Sequence, residues 1–409
     1  MNTQEKRILI FASLAHFFTH FYILVFPALV MPMSRSLNLP LSEVLGYSFW
    51  MALLFGLLAV PWGIAGDKWN AKYVMSSGII LAGLGMVFAG LAGGRGALIF
   101  SFALVGVGCG AFHPAGTALV SQGIRERGKA LGINGVWGTA GMAAAPFIMG
   151  FLQYVFHWQR SLLYIGIAGL FFGVLSLVVP FSYEKGVDVK KTNALKSGSA
   201  VKLFVLFILI MIAAGFQFQS FSLILPSFLE FKIGAEFSGV GEFFTRLIPG
   251  FGSDESLQTL TAGIVTTGVY LFGIFGQYVG GKAADRYSLK WSYFVFFCSA
   301  LPFVPLMYLL KAPLVIPAAG MFLFFTLGMQ PIENSLIAYL TPSGLRSVSY
   351  GIKFTLTFGI GSLAVKMTSF TEGRWGIPGV IVMVGIFLLL VIGGIMVFLV
   401  AARHEPLRH

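Results

Sequence analysis

The chain has 409 residues, of which 57% are hydrophobic and only 10% are charged. Soluble proteins carry about a quarter charged residues, so this composition excludes a soluble enzyme, a nucleic-acid-binding protein and a disordered chain. With only two cysteines, a disulfide-based scaffold is excluded as well. A membrane-spanning helix needs about 20 apolar residues, and the length accommodates twelve such helices with short loops. The composition therefore predicts an all-α, polytopic membrane protein.

Twelve apolar runs follow one another along the chain, and each is long enough for one transmembrane helix. They fall at about 8–33, 44–66, 73–92, 97–122, 130–153, 160–182, 202–230, 257–281, 291–310, 313–341, 347–370 and 376–402. The first run is too long for the apolar core of a signal peptide, so we predict that it is retained as the first helix.

The 27 basic residues give the chain a net charge of +12, and their placement predicts its orientation. With the amino terminus in the cytoplasm, eighteen of them lie in segments on that side and seven in segments on the other side. The positive-inside rule therefore predicts that both termini are cytoplasmic. The hydrophilic segment 184–200 is predicted to be a flexible cytoplasmic linker between two six-helix bundles, 1–183 and 201–409.

Short polar patterns recur in the two halves, which indicates an internal duplication. The matched positions are Gly63, Asp67 and Lys68 with Gly281, Asp285 and Arg286, His20 with Gln219, His113 with Gln330, and Asn134 with Lys353. Several matches in the same order predict two six-helix repeats of parallel topology, related by an axis along the membrane normal.

The Gly-x-x-x-Asp-[Lys/Arg] segment after the second and eighth helices, within twelve helices in two halves, resembles the major facilitator superfamily. Two further patterns, the run from Gly108 to Pro114 and the pair His16-x-x-x-His20, resemble efflux permeases of the fosmidomycin-resistance type. Those relatives carry an acidic residue where this chain has His20. The resemblance implies a secondary transporter that works by alternating access, and export in exchange for protons.

Ionisable side chains within apolar runs cost about 2.5–3.5 kcal/mol each at a helix centre, so each is a functional hypothesis. His16 and His20 are four residues apart and share one helix face. Together with His113 they are assigned to substrate binding or proton coupling, and so are the matched polar residues Asn134, Gln219 and Gln330. The alternative is that these side chains only bond neighbouring helices.

Glu333 and Lys353 are predicted to lie about 12 Å and 10 Å from the cytoplasmic ends of their helices. They are close enough in depth to pair, which would relieve the cost of both charges. A structural salt bridge, recognition of an anionic substrate and a pair that opens on proton binding remain alternatives, and both residues are included in the substrate-binding and coupling set.

The repeated segments after helices 2 and 8 are assigned to gating. Their carboxylates, Asp67 and Asp285, are expected to cap a helix N-terminus or to pair with basic ends and so to hold the outward-open state. Gly63, Lys68, Gly281 and Arg286 complete this set. In helix 5, three glycines at 135, 138 and 141 predict a close helix contact, and they also resemble an antiporter pattern.

We therefore predict a secondary active transporter that moves a small organic solute, anionic or amphiphilic, by alternating access with proton-coupled efflux. The alternative is a carrier of divalent transition metals, through the three histidines, or of lipids, through a phenylalanine-lined cavity. No enzymatic activity, cofactor or bound metal is predicted. The expected partners are the solute, protons and the bilayer, without nucleic acid, and the expected form is a monomer in the cell (inner) membrane.

Overall fold

The structure is a computed structural model that describes residues 1–180, 198–233, 253–341 and 355–403, with positions 243, 246, 247 and 353 in addition. Most of the predicted linker at 184–200, and the first part of the predicted run at 347–370, therefore lie outside the described residues.

Within the described ranges every regular element is helical. The α-helices are α1 (Thr3–Leu37), α2 (Leu41–Leu45), α3 (Phe49–Leu57), α4 (Ala59–Lys68), α5 (Ala71–Gly90), α6 (Arg95–Cys109), α7 (Phe112–Gly123), α8 (Arg127–Phe156), α9 (Trp158–Val178), α10 (Gly198–Ile233), α11 (Asp254–Arg286), α12 (Leu289–Ala300), α13 (Phe303–Leu309), α14 (Val315–Leu340) and α15 (Leu363–Ala401). A π-helical turn at Thr355–Gly359 and a 3₁₀ turn at Ile360–Ser362 precede α15.

The described residues contain ten helical stretches that are long and apolar enough to cross a membrane. They are eleven if Leu41–Leu57 and Ala59–Lys68, which meet at a bend of 40°, count as one span. The predicted all-α membrane class is confirmed. The last stretch, Thr355–Ala401, has 47 residues and is interrupted at Gly376, whose φ of +66° is favourable only for glycine.

Besides the run at 44–66, two of the predicted runs are broken helices in the structure. The run at 97–122 consists of α6 and α7, with the break at Gly110 and Ala111, and the run at 291–310 consists of α12 and α13. In both cases a proline lies at or just before the first turn of the second helix. Pro114 occupies the first turn of α7, where its missing N–H group costs no helix hydrogen bond.

By their internal contacts the residues form two compact units. The first consists of Met1–Val187 with Ser222–Thr267, and the second of Asp188–Phe221 with Gly268–His409. The boundary passes through α10 and α11, so one part of each helix belongs to the first unit. The predicted division at the linker stays a prediction.

In the first unit, α1 packs chiefly on α8, and α5 packs on α6 and α9. Glycines bring α1 and α8 together: a Cβ atom on Gly141 would lie 2.3 Å from the carbonyl oxygen of Phe17, and one on Gly138 would lie 2.5 Å from Nε2 of His16. A larger residue at 141 would push the helices apart because it would meet the backbone of α1, and one at 138 would displace the His16 ring. The close helix contact predicted from three glycines is therefore present at Gly138 and Gly141, whereas a Cβ on Gly135 would meet nothing within 4 Å.

A matching pair of lysines ties helix ends together in the two units. Lys72 Nζ donates to the carbonyl oxygen of Val179, just after α9, and Lys290 Nζ donates to that of Ala402, just after α15, each at 2.8 Å. The last carbonyls of a helix have no intrahelical partner and carry partial negative charge, so a cation there is favourable. The two lysines are 218 positions apart, the same offset as the repeated segments that they follow.

Candidate substrate and coupling sites

Three histidines meet in the first unit, and we call them the imidazole cluster: His16, His20 and His113. Their potential metal-ligand atoms all lie within 4.8 Å of one another. The ring centroids are 4.9 Å apart for His16 and His20, 5.4 Å for His16 and His113, and 5.3 Å for His20 and His113. Sequence analysis placed the first two on one helix face, and the structure brings the third to them.

Local structure explains why these rings meet. His16 and His20 are one turn apart on α1. His113 is the second residue of α7, so the break between α6 and α7 sets its direction. Phe112, the first residue of the same helix, stacks on the His16 ring with centroids 4.4 Å apart. The cluster is therefore held by two helices and by an aromatic neighbour.

Asn134 on α8 orients one ring of the cluster. Its backbone carbonyl oxygen is 2.8 Å from Nδ1 of His16, which must therefore carry a proton to form this hydrogen bond. In a neutral imidazole the lone pair is then on Nε2. Among the described residues, the side-chain amide nitrogen of Asn134 is buried without a hydrogen-bond acceptor. Asn134 therefore contacts the cluster through its backbone, and a role of its side chain in substrate binding stays a prediction.

A second polar cluster lies in the second unit, and we call it the carboxylate network: Glu333, Lys353 and Tyr293, which are buried, and Asn334, which is exposed. Lys353 Nζ lies 2.6 Å from Glu333 Oε1 and donates to Asn334 Oδ1 at 2.7 Å. The hydroxyl of Tyr293 donates to Glu333 Oε2 at 2.8 Å. Glu333 and Lys353 are only 4% and 9% exposed. The structure thus contains the ion pair that sequence analysis considered, and it satisfies both carboxylate oxygens.

The two glutamines matched to histidines each bond within the second unit. Gln219 Nε2 donates to the carbonyl oxygen of Thr357 at 3.3 Å, in the π-helical turn, and Gln277 Nε2 donates to Gln330 Oε1 at 2.9 Å. Turns of this kind are frequent at functional sites. Both glutamines therefore have a structural use, and their part in substrate binding stays a prediction.

The gating residues lie at helix ends, where loops were expected. Asp67 and Lys68 are the last residues of α4, and Asp285 and Arg286 the last of α11, all four exposed. The N-cap of the next helix is Asn70, which accepts the N–H of Lys72 at 2.9 Å, so capping of α5 is the task of Asn70. A Cβ on Gly63 would lie 3.3 Å from that of Pro114, whereas Gly281 has open space.

Sequence analysis missed a buried ion pair in the first unit. Arg35 near the end of α1 donates to Glu230 of α10, which is 8% exposed and also accepts from the hydroxyl of Thr259 at 3.3 Å. A second Arg35 nitrogen is 3.5 Å from the carbonyl oxygen of Glu255. The sequence signal that indicates this pair is Glu230 itself, an acidic residue at the very end of an apolar run and four positions after Pro226.

The same unit contains three further contacts between α8 and α11. The hydroxyl of Thr267 donates to the carbonyl oxygen of Ala143 at 2.6 Å. A Cβ on Gly263 would lie 2.3 Å from the carbonyl oxygen of Pro146, and one on Gly150 would lie 3.0 Å from Cα of Leu260. Small residues thus bring the first part of α11 against α8 of the first repeat.

Long apolar helices, a repeated motif and charged networks buried between helices define a multi-pass membrane protein of the transporter class. Residues 9–365 match the Major Facilitator Superfamily. The chain belongs to this superfamily, as its motifs predicted.

Two relatives agree with this assignment. The chain is 24% identical over 407 residues to the uncharacterized MFS-type transporter YfnC of Bacillus subtilis (strain 168), which covers 97% of this chain and 93% of that protein. It is 25% identical over 170 residues to a probable L-galactonate transporter of Escherichia coli (strain K12), and this match covers 38% of either protein.

A solved structure has the same fold. The crystal structure of a bacterial homolog of the human lysosomal transporter Spinster, in an inward-facing and occupied conformation, superposes with a TM-score of 0.74 at 14% identity, over 98% of each chain. Family, relatives and fold together make this chain a secondary transporter of small solutes, and the proteins that it resembles are transporters and not enzymes.

Proposed function

We propose that the chain exports a small organic anion by alternating access in exchange for protons. The observation that carries this proposal is the carboxylate network, in which a buried lysine is held by a buried glutamate. A charge pair at such depth is costly unless it is paired and hydrogen-bonded, and ionisable residues within membrane spans mark substrate and proton pathways.

The cargo class follows from the charges in the buried clusters. Lys353 contributes an ammonium group to the carboxylate network, and the three imidazoles of the first unit carry no negative charge. Glu333 is the single acidic side chain in these two clusters. Such clusters favour an anion over a cation. The resemblance to a probable L-galactonate transporter supports the same class, because galactonate is a carboxylate.

Proton coupling is assigned to Glu333. When its carboxylate is ionised, Lys353 and Tyr293 satisfy both oxygens. A proton on the carboxyl group would remove the attraction to Lys353, so proton binding switches the network between a paired and an unpaired state. In the proposed exchange the network carries either the anion outward or the proton inward, and the protonated, unpaired state is the one that returns after the anion has left.

Alternating access is assigned to the contacts that join α10 and α11 to the first repeat. The Arg35–Glu230 pair and the hydrogen bond from Thr267 lie along these contacts. Breaking them would free the last part of α10 and the first part of α11 to move away from the first repeat. We propose that Arg35 and Glu230 form a latch that opens in each cycle, and that Gly63, Asp67, Lys68, Gly281, Asp285 and Arg286 keep the gating role predicted from the sequence.

The topology proposed with this function has twelve spans and cytoplasmic termini, in the cell (inner) membrane. The stretch Thr355–Ala401 supports two spans in place of one, because 47 helical residues would extend about 70 Å, far beyond the bilayer core of about 30 Å. The break at Gly376 divides it.

The narrower relationship proposed is with permeases of the fosmidomycin-resistance type, since both patterns that carry that resemblance meet in the imidazole cluster.

A thermal-shift screen of the purified protein tests the cargo class. The ligands are L-galactonate and fosmidomycin as anions, uridine as a neutral compound and tetraphenylphosphonium as a cation. We expect an anion to raise the melting temperature of the wild type and of Lys366→Met, a matched control at an exposed lysine. We expect no such shift in the double variant Lys353→Met/Glu333→Gln, which removes both charges. Stabilisation by uridine or the cation alone, or an equal anion shift in the double variant, would contradict the proposal.

A further inference from the structure

The imidazole cluster has the composition of a metal site, which goes beyond the transport function proposed above. We propose that His16, His20 and His113 bind one divalent ion of the late first-row transition metals, with Zn²⁺ as the reference ion. Imidazole nitrogen is a preferred ligand for these metals.

The spacing of the ligands fits such an ion. Zn–N bonds of about 2.0–2.1 Å in a tetrahedron place neighbouring nitrogens about 3.4 Å apart. In the structure the ligand atoms are no more than 4.8 Å apart, so small ring rotations would close the site. The sequence spacing is also suitable, because two histidines at positions i and i+4 of a helix present their rings to one ion.

The surroundings of His16 support coordination. A metal-bound histidine almost always donates its second ring N–H to a carbonyl or carboxylate, which fixes the tautomer and orients the ring. The carbonyl oxygen of Asn134 accepts from Nδ1 of His16 at 2.8 Å, and Nε2 is then the ligand atom. Gly138 provides the space for this nitrogen, since a Cβ there would lie 2.5 Å from it.

The cluster supplies three ligands and leaves one coordination position open. Within the part of the chain that the structure describes, no carboxylate or thiolate joins the three histidines in this group. The nearby thiol of Cys109 is turned to the carbonyl oxygen of Thr19, with sulfur and oxygen 3.7 Å apart. Three protein ligands with a free fourth position are typical of zinc sites that exchange a water or a small ligand.

Metal titration of the purified, tag-free protein tests this site. Co²⁺ is added at pH 7.5 and followed by its visible absorption, which is intense for a four-coordinate ion, and Zn²⁺ is then used to displace it. We expect one Co²⁺ per chain, full displacement by Zn²⁺, and a loss of affinity in His20→Ala and His113→Ala of at least the 10- to 100-fold that removal of an outer partner costs.

Two further variants test whether the bound ion lies in the cluster. His157→Asn changes a histidine outside the cluster at a positive-φ position that asparagine tolerates, and it should bind Co²⁺ as the wild type does. Gly138→Ala keeps all three histidines and displaces the His16 ring, so it should weaken binding. Absence of saturable 1:1 binding in the wild type would overturn the proposal. Equal binding in the wild type and in both cluster variants would do the same, because the ion would then be elsewhere.

Discussion

At the scale of single residues, the carboxylate network is the most sensitive part of the second unit. Lys353 and Glu333 are buried and satisfy one another, with Tyr293 on the second carboxylate oxygen. Removing one member of a buried ion pair leaves an uncompensated charge, which costs about 3–5 kcal/mol. Replacing both members by neutral groups of similar size is much less costly.

The single variant Lys353→Met should therefore lower the free energy of unfolding by about 3–5 kcal/mol, and the double variant Lys353→Met/Glu333→Gln by much less. Unfolding is followed by titrating the micellar protein with dodecyl sulfate. Lys366→Met, at an exposed position of α15, serves as the control and should have no effect. A double variant as unstable as the single one would show that the two charges do not compensate each other.

Tyr293→Phe removes only the hydroxyl that donates to Glu333 Oε2. A hydrogen bond to a charged group contributes about 1.5–3 kcal/mol, and we expect a loss of that size in the same titration. Tyr308→Phe, at an exposed tyrosine of α13, is the matched control. If both variants unfold alike, the Tyr293 hydroxyl does not stabilise the carboxylate.

At this scale several members of the two clusters could be predicted from the sequence, and others could not. Histidine, glutamate and lysine stand out in apolar runs because each is costly there, so His16, Glu333 and Lys353 were predicted from their positions in those runs. Tyr293 and Asn334 were not, since both residue types are common in membrane helices and only the folded chain shows which carboxylate or ammonium group they meet.

At the scale of helices, the matching lysines Lys72 and Lys290 fix helix ends in the two units. Each donates to the final carbonyls of a helix about a hundred residues further on. A cation at that place contributes about 0.3–1 kcal/mol when exposed and up to about 2 kcal/mol when partly buried. Because Lys72 is only 6% exposed, we expect the upper part of this range.

Lys72→Met should thus lower the free energy of unfolding by about 1–2 kcal/mol, and Lys290→Met by about the same amount. Lys68→Met is the control, because Lys68 is exposed at the end of α4. A loss in the control equal to that in Lys72→Met would mean that general charge, and not the contact with Val179, determines the stability.

The helices themselves were largely predictable, and their breaks were only partly so. Apolar runs predicted the outer bounds of most described helices to within a few residues, since about 20 apolar residues in lipid must form a helix. The exception is α15, which begins at Leu363, whereas the predicted run begins at 376. The interruption between Cys109 and Phe112 falls within the apolar run 97–122, which was predicted as a single transmembrane helix. Proline is tolerated in a first helical turn. The chain therefore ends α6 at Cys109, breaks at Gly110 and Ala111, and keeps Pro114 inside α7.

At the scale of the whole molecule, the Arg35–Glu230 pair joins helices of different repeats that are 195 positions apart. No local pattern predicts such a pair, because the choice of partner depends on how α10 meets α1. In the proposed mechanism this pair must break in each cycle. Its removal should therefore favour the state in which the last part of α10 and the first part of α11 have moved away.

Cysteine labelling measures this shift. Ser256→Cys, at a position that is 7% exposed, is placed in a background with Cys109→Ala and Cys298→Ser. We expect Arg35→Gln to increase the rate of maleimide labelling several-fold. Arg95→Gln, which breaks the exposed ion pair with Glu43, should leave the rate unchanged. Equal rates in the two arginine variants would remove the latch from the mechanism.

Flux through reconstituted protein tests the central claim, that a small organic anion leaves in exchange for protons. Proteoliposomes are loaded with the radiolabelled anion that stabilises the protein, and its exit is measured with the outside at the same pH or more acidic. We predict faster exit of the anion when the outside is acidic, and exit at the rate of empty liposomes for Lys353→Met/Glu333→Gln. An exit rate indifferent to the proton gradient, or a double variant as active as the wild type, would contradict the account.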